Sequence, residues 1–179
     1  MILDRDGTVV IDRGYLSDPA GLEFLPTVPE ALRLLSNSGL RLVMMTNQSG
    51  VGRGLISLEQ IAALNARMLE MVRGVGGTLT RIYFCPHAPE AHCSCRKPNL
   101  GLMERAAEEL DFDPRKSTVI GDKPSDVEFG VRAGARTILL SPDAGPDARL
   151  PEPDAVVSTL LEAAHLIATG VTPRADHCR

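Results

Sequence analysis

Short apolar runs alternate with helical patterns along this chain, and residues able to do chemistry fall directly after those runs. The apolar runs occupy 1–3, 40–45, 80–84, 118–120, 136–140 and 155–157. Between the first two, Thr27-Val28-Pro29-Glu30 resembles a capping box, with Pro29 in the first turn and Gly39 placed to end the helix. Ser57-Leu58-Glu59-Gln60 reads as a second capping box. It opens a helix with an apolar stripe of Ile61, Leu64, Met68, Leu69 and Val72. Residues 102–110 and 127–133 read as further helices, the latter stopped by Gly134. Strand–helix alternation of this kind predicts an α/β fold: an open parallel sheet with helices on both faces. Ligands of such sheets gather beyond the carboxyl ends of the strands. Asp4 and Asp6 follow the first strand, Thr46 and Asn47 the second, Cys85 and His87 the third, and Asp122 and Lys123 the fourth.

The length of 179 residues suits one domain, read here as 1–179. The segment 141–153 reads as a surface loop, and the tail after about residue 169 is expected to fray. Aromatic residues make up 3% of the chain with no Trp, and the net charge is −4. Base stacking and phosphate-backbone binding are thereby disfavoured, so no nucleic-acid partner is expected. Neither a signal-peptide pattern nor a bilayer-length apolar run is seen, so the expectation is a soluble, cytoplasmic protein with no membrane partner, acting as a monomer. In a reducing compartment, clustered cysteines read as metal ligands before disulfides.

Asp4-Arg5-Asp6-Gly7-Thr8 sets two carboxylates two residues apart after a strand. In extended backbone both lie on one side, near enough to share a divalent cation. The alternative is a helix cap or turn, where Asp and Gly are common. Phosphoryl transfer needs a nucleophile, neutralised phosphoryl oxygens and a proton donor for the leaving group. Asp4 can attack, Asp6 can act as acid and base, Asp122 can help hold Mg²⁺, Thr46 offers a hydroxyl and Lys97 a fixed positive charge.

Cys85, His87, Cys93 and Cys95 form a donor set suited to tetrahedral Zn²⁺. His92 is a rival to His87, but its side chain should point away from that of adjacent Cys93. With no open position the zinc would be structural, clamping the loop 85–95 that carries Arg96 and Lys97. Buried reduced cysteines are the alternative. Cys178, in the tail beside His177, is assigned no role.

Four ordered motifs resemble those of the haloacid dehalogenase superfamily. They are Asp4 to Thr8, then Thr46-Asn47-Gln48-Ser49, then Arg96-Lys97-Pro98, and finally Gly121 to Asp126. The resemblance runs from residue 2 to about residue 140. It implies Mg²⁺ at Asp4, Asp6 and Asp122, with the main-chain carbonyl of Asp6 at the metal, and an aspartyl-phosphate intermediate on Asp4. A zinc loop just before Arg96-Lys97-Pro98 is similar to the subgroup of heptose bisphosphate and histidinol-phosphate phosphatases, whose members lack a large cap domain. The stretch between Asp6 and the second strand is indeed too short for a cap. Asp12-Arg13-Gly14-Tyr15 resembles the substrate loop of the heptose branch, although Arg13 stands where that branch usually has His. Ser49, Arg53 and Lys123 also resemble the heptose branch, whereas the short zinc loop is nearer the histidinol form. The implied substrate is a small phosphorylated sugar, D-glycero-D-manno-heptose 1,7-bisphosphate losing its 7-phosphate, with histidinol phosphate the alternative. The remote phosphate would be received by Arg96 and Arg53, or these arginines are solvated surface residues. Tyr15 closes over the sugar or packs. Asn47, Gln48 and Ser49 complete the expected substrate contacts.

Overall fold

In a computed structural model of the chain, residues 1–141 and 151–170 are described; the tail beyond 170 and most of the loop 141–153 lie outside them. Six strands form one sheet: β1 (Ile2–Leu3), β2 (Val43–Asn47), β3 (Arg81–Cys85), β4 (Thr118–Gly121), β5 (Arg136–Leu140) and β6 (Ala155–Val157). Every pairing is parallel, in the order β3-β2-β1-β4-β5-β6. The helices are α1 (Val28–Asn37), α2 (Ser49–Gly52), α3 (Leu58–Gly74), α4 (Gly101–Leu110), α5 (Pro124–Arg132) and α6 (Leu160–Ala168).

The strand pleat sorts apolar residues into two cores. Leu3, Met44, Ile120 and Ile138 face one side, with Leu32 and Leu35 of α1, Ile61 and Leu64 of α3, and Ala163 of α6. Their neighbours Ile2, Val43, Met45 and Val119 face the other, with Leu102 and Ala106 of α4 and Phe129 of α5. Successive side chains of a strand point to opposite faces, so a sheet buried on both sides reads as an unbroken apolar run. The expected helices on both faces are present.

The Ser57 capping box forms: Ser57 Oγ accepts from Gln60 N–H at 3.2 Å while Gln60 Oε1 accepts from Ser57 N–H at 2.8 Å. Gly39 and Gly134 follow α1 and α5 with φ of 73° and 67°, left-handed values at which glycine is unstrained. Two local expectations need correction. Thr27 does precede α1, but at φ 67° its hydroxyl makes no cap hydrogen bond, so no capping box forms there. Helices α2 and α6 form beyond those read from the sequence. No helix among the described residues is long and apolar enough to cross a membrane.

The order of strands reverses about β1, with β2 and β3 on one side and β4, β5 and β6 on the other. A reversal leaves a crevice beyond the strand ends, where two neighbouring strands send their chains to opposite faces. Asp4 leaves β1 and Asp122 leaves β4, side by side at this crevice.

Candidate active site

Lys97 is the centre of the site. It is buried, and its Nζ donates to Asp4 Oδ1 at 2.7 Å, Asp126 Oδ1 at 2.6 Å and the main-chain carbonyl of Met45 at 2.6 Å. A buried ammonium is costly unless each proton finds an acceptor, and all three do. Burial works against its charge, but Asp4 and Asp126 outweigh it and raise its pKa. Burial in turn pushes Asp126 up to about 6, offset in part by Lys97.

Oxygens of Asp4, Asp122 and Asp126 lie within 4.8 Å of one another. Burial, with the nearby charge of Asp4, raises the pKa of Asp122, whose Oδ1 accepts from Thr8 Oγ1 at 2.9 Å. Three carboxylates in one crevice with two lysines form a site short of positive charge, a donor set of hard oxygens that suits a divalent cation. The sequence pointed to Asp4, Asp6 and Asp122. In the structure the carboxylate of Asp6 turns elsewhere: Gln48 Nε2 donates to its Oδ2 at 2.8 Å, and Arg5 Nε donates to both its oxygens at 3.1 Å. Its main-chain oxygen accepts from Lys123 Nζ at 3.3 Å. Asp126 joins the trio because it sits in the first turn of α5 with its Oδ2 accepting from Lys123 N–H at 3.1 Å. Asp126 and the buried Arg5 were missed as individual residues, although both lie within the quoted motifs.

Gly7 lets the chain turn away between these groups. Its φ is 85°, and a Cβ added there would lie 2.2 Å from Asp122 Oδ2. Gly7→Ala combines a left-handed backbone with that overlap, and is expected to cost about 2 kcal/mol of stability, read by thermal unfolding.

Asp4, Asp6, Thr46, Asn47, Lys97, Lys123, Ser125 and Asp126 line a cavity of about 30 Å³. That space is small, so the body of any larger substrate would lie over the rim. On the rim, Asp12 Oδ1 accepts from Gly14 N–H at 2.9 Å and Oδ2 accepts from Lys123 Nζ at 3.0 Å. Burial opposes the charge on Lys123, but Asp122 and Asp12 outweigh it and lift its pKa to about 12. Tyr15 is half exposed, with its ring passing close to Gly50. Arg13 pairs with Glu23 at 2.6 Å and Arg53 with Glu90 at 3.3 Å, both at the surface. Arg96 has a long contact of 3.4 Å to the carbonyl of His87. The amides of Asn47 and Gln48 point into the protein, Asn47 to the main chain of Lys97, and Gln48 to Thr46 as well as Asp6. Ser49 begins α2.

Beside this crevice Cys85, His87, Cys93 and Cys95 converge. Cys85 Sγ lies 3.5 Å from Cys93 Sγ and 3.2 Å from Cys95 Sγ, and His87 Nδ1 lies 3.2 Å from Cys95 Sγ. The edges of a tetrahedral thiolate metal site are about 3.8 Å, so this group can close around an ion with small adjustments. His92, in left-handed backbone, is not in the group.

Known proteins resemble this chain in sequence and in fold. A HAD-hydrolase-like family model matches residues 94–163. A D-glycero-beta-D-manno-heptose-1,7-bisphosphate 7-phosphatase of Helicobacter pylori is 40% identical over 141 residues, covering 78% of this chain and 81% of its own. That of Haemophilus ducreyi is 39% identical with the same coverage. The crystal structure of a D,D-heptose 1,7-bisphosphate phosphatase from B. bronchiseptica, complexed with magnesium and phosphate, superposes with a TM-score of 0.85. It is 30% identical and covers 96% of this chain and 98% of that one. At such identity and coverage, the chain belongs to this family of haloacid dehalogenase-like phosphatases.

Proposed function

We propose that the chain removes the 7-phosphate of D-glycero-D-manno-heptose 1,7-bisphosphate through an aspartyl-phosphate on Asp4, with Mg²⁺ as cofactor. What carries this reading is the grip of Lys97 on Asp4, beside Asp122 and Asp126, at the reversal point of the sheet. The names of the relatives supply the sugar.

Asp4, Asp122 and the main-chain oxygen of Asp6 would hold the metal, which supplies charge neutralisation at the transferring phosphoryl group. Asp4 attacks phosphorus and the bond between phosphorus and the C7 oxygen breaks. Asp6 gives its proton to the departing oxygen. The resulting carboxylate, steadied by Arg5 and Gln48, then takes a proton from the water that attacks the phospho-aspartate. Phosphate leaves, and Asp4 and Asp6 return to their starting states. Lys97 and Thr46 address phosphoryl oxygens, and the fixed ammonium needs no reorganisation as negative charge shifts.

The small cavity takes the reacting phosphoryl group, and Asp12, Arg13, Gly14, Tyr15 and Lys123 border the sugar. Arg96 receives the remote phosphate. Arg53 can exchange its surface pairing with Glu90 for phosphate at small cost, because exposed ion pairs contribute only about 0–1 kcal/mol. Zn²⁺ in the Cys85–His87–Cys93–Cys95 group is structural.

The test is a side-by-side comparison of kcat/KM for both anomers of the heptose bisphosphate and for histidinol phosphate, with Mg²⁺ and after its removal by EDTA. The expected outcome is a preference of about 100-fold or more for a heptose bisphosphate, about the discrimination worth 3 kcal/mol, and activity restored by Mg²⁺. A preference for histidinol phosphate overturns the substrate assignment.

A further inference from the structure

The amide of Asn47 is used at both ends by a single residue. Its Oδ1 accepts from the main-chain N–H of Lys97 at 3.0 Å, and its Nδ2 donates to the main-chain carbonyl of Lys97 at 3.1 Å. The opposite amide orientation would set donor against donor and acceptor against acceptor, so the pairing fixes the side chain. It imitates one rung of a β-ladder, made by a side chain at the last residue of β2.

The same segment also holds the start of the cysteine loop. Gln48 N–H donates to the carbonyl of Cys85 at 2.8 Å, and Gly52 N–H donates to that of Pro86 at 2.7 Å. Residues 47–52 therefore grip the loop where it leaves β3 and again where it delivers Lys97. A lysine side chain has four rotatable bonds, and its ammonium meets both carboxylates only if the main chain is held at the right height.

We propose that Asn47 is a positioning residue rather than a substrate contact: by clamping the main chain of Lys97 it places the ammonium between Asp4 and Asp126. The proposal rests on the phosphatase reading above and deepens it. A shift of about 1 Å in a charged group costs about 100-fold in rate, even when the altered residue does not touch the reacting atoms.

The experiment compares wild type, Asn47→Ala and the isosteric Asn47→Asp, which keeps the acceptor for Lys97 N–H but loses the donor. Each is assayed on the heptose bisphosphate and on p-nitrophenyl phosphate, which has no sugar and no second phosphate. In parallel, Lys97 is labelled with an acylating amine reagent and quantified by peptide mass mapping, with exposed Lys116 as internal reference. For both variants kcat is expected to fall about 100-fold on both substrates with KM changed less than about threefold. Labelling of Lys97 relative to Lys116 is expected to rise at least about fivefold. A loss confined to the sugar substrate, or unchanged labelling of Lys97, overturns the proposal. If Asn47→Ala does not fold, the isosteric variant reports the same two quantities. Wild type inert on both phosphate esters would strike at the phosphatase reading instead, and the labelling ratio would still decide the role of Asn47.

Discussion

Asp4→Asn is expected to lower kcat on the heptose bisphosphate by about 10⁵-fold, with the fold retained. The carboxamide is nearly the same size as the carboxylate and keeps an oxygen for Lys97 Nζ, which Asp4 now accepts from at 2.7 Å. What it loses is the nucleophile, and loss of a covalent nucleophile leaves only the contribution of binding and electrostatics. The variant also removes one of three clustered negative charges, so Mg²⁺ affinity should weaken, measured by calorimetric titration. Saturating Mg²⁺ separates the two effects: weakened binding is restored at high metal, the missing nucleophile is not. Mg²⁺-dependent hydrolysis of p-nitrophenyl phosphate by Asp4→Asn above the level of an Asp4, Asp6 double variant would contradict the assignment.

Cys95→Ser is expected to abolish the zinc binding proposed for this group, lower the melting temperature by about 10 °C or more and reduce kcat by about 100-fold. Cys95 Sγ lies close to Cys85, Cys93 and His87 together, so its loss opens every edge of the cluster that it shares. Binding of a structural metal is folding free energy for the loop that it closes. In a domain of this size each kcal/mol lost corresponds to about 2–4 °C. The rate falls because Arg96 and Lys97 directly follow Cys95. Metal content by mass spectrometry, differential scanning calorimetry and Mg²⁺ titration together check the claim. Mg²⁺ binding should persist, since its proposed ligands leave β1 and β4 rather than the loop. Unaltered stability and rate in a metal-free variant would refute the clamp.

How far these features were legible differs by the distance over which they are set. Strand ends and the groups beyond them could be read because the signal is local: a few apolar residues, then Asp4, Thr46 or Asp122. The Ser57 box and the glycines after α1 and α5 were legible for the same reason. Thr27 has the residue type of a cap and the right spacing to Glu30, but its backbone lies at φ 67° and its hydroxyl makes no cap hydrogen bond, which residue type alone does not reveal. The cysteine group was legible from its ligand types and spacing, and the structure brings the same four residues together.

The roles of amides and charges set by long-range pairing were not legible. Asn47 and Gln48 look like substrate contacts when read beside Thr46. Whether an amide faces solvent or protein depends on where Lys97 and Asp6 arrive, from 50 and 42 residues away. Arg5 stands between two acids and was assigned no role from the sequence, yet it is buried and its guanidinium meets the carboxylate of Asp6 at 3.0 Å. Asp126 is five residues beyond the end of β4, and only the first turn of α5 returns it to Lys97.

The stereochemical course at phosphorus tests the covalent step most directly. A phosphorothioate monoester whose two non-bridging oxygens are ¹⁶O and ¹⁸O is hydrolysed in water enriched in ¹⁷O, and the configuration of the released chiral thiophosphate is read by ³¹P NMR. Transfer first to Asp4 and then to water inverts phosphorus twice, so net retention is the predicted result. Net inversion would mean that water attacks the ester in one step, and Asp4 would then be only a ligand.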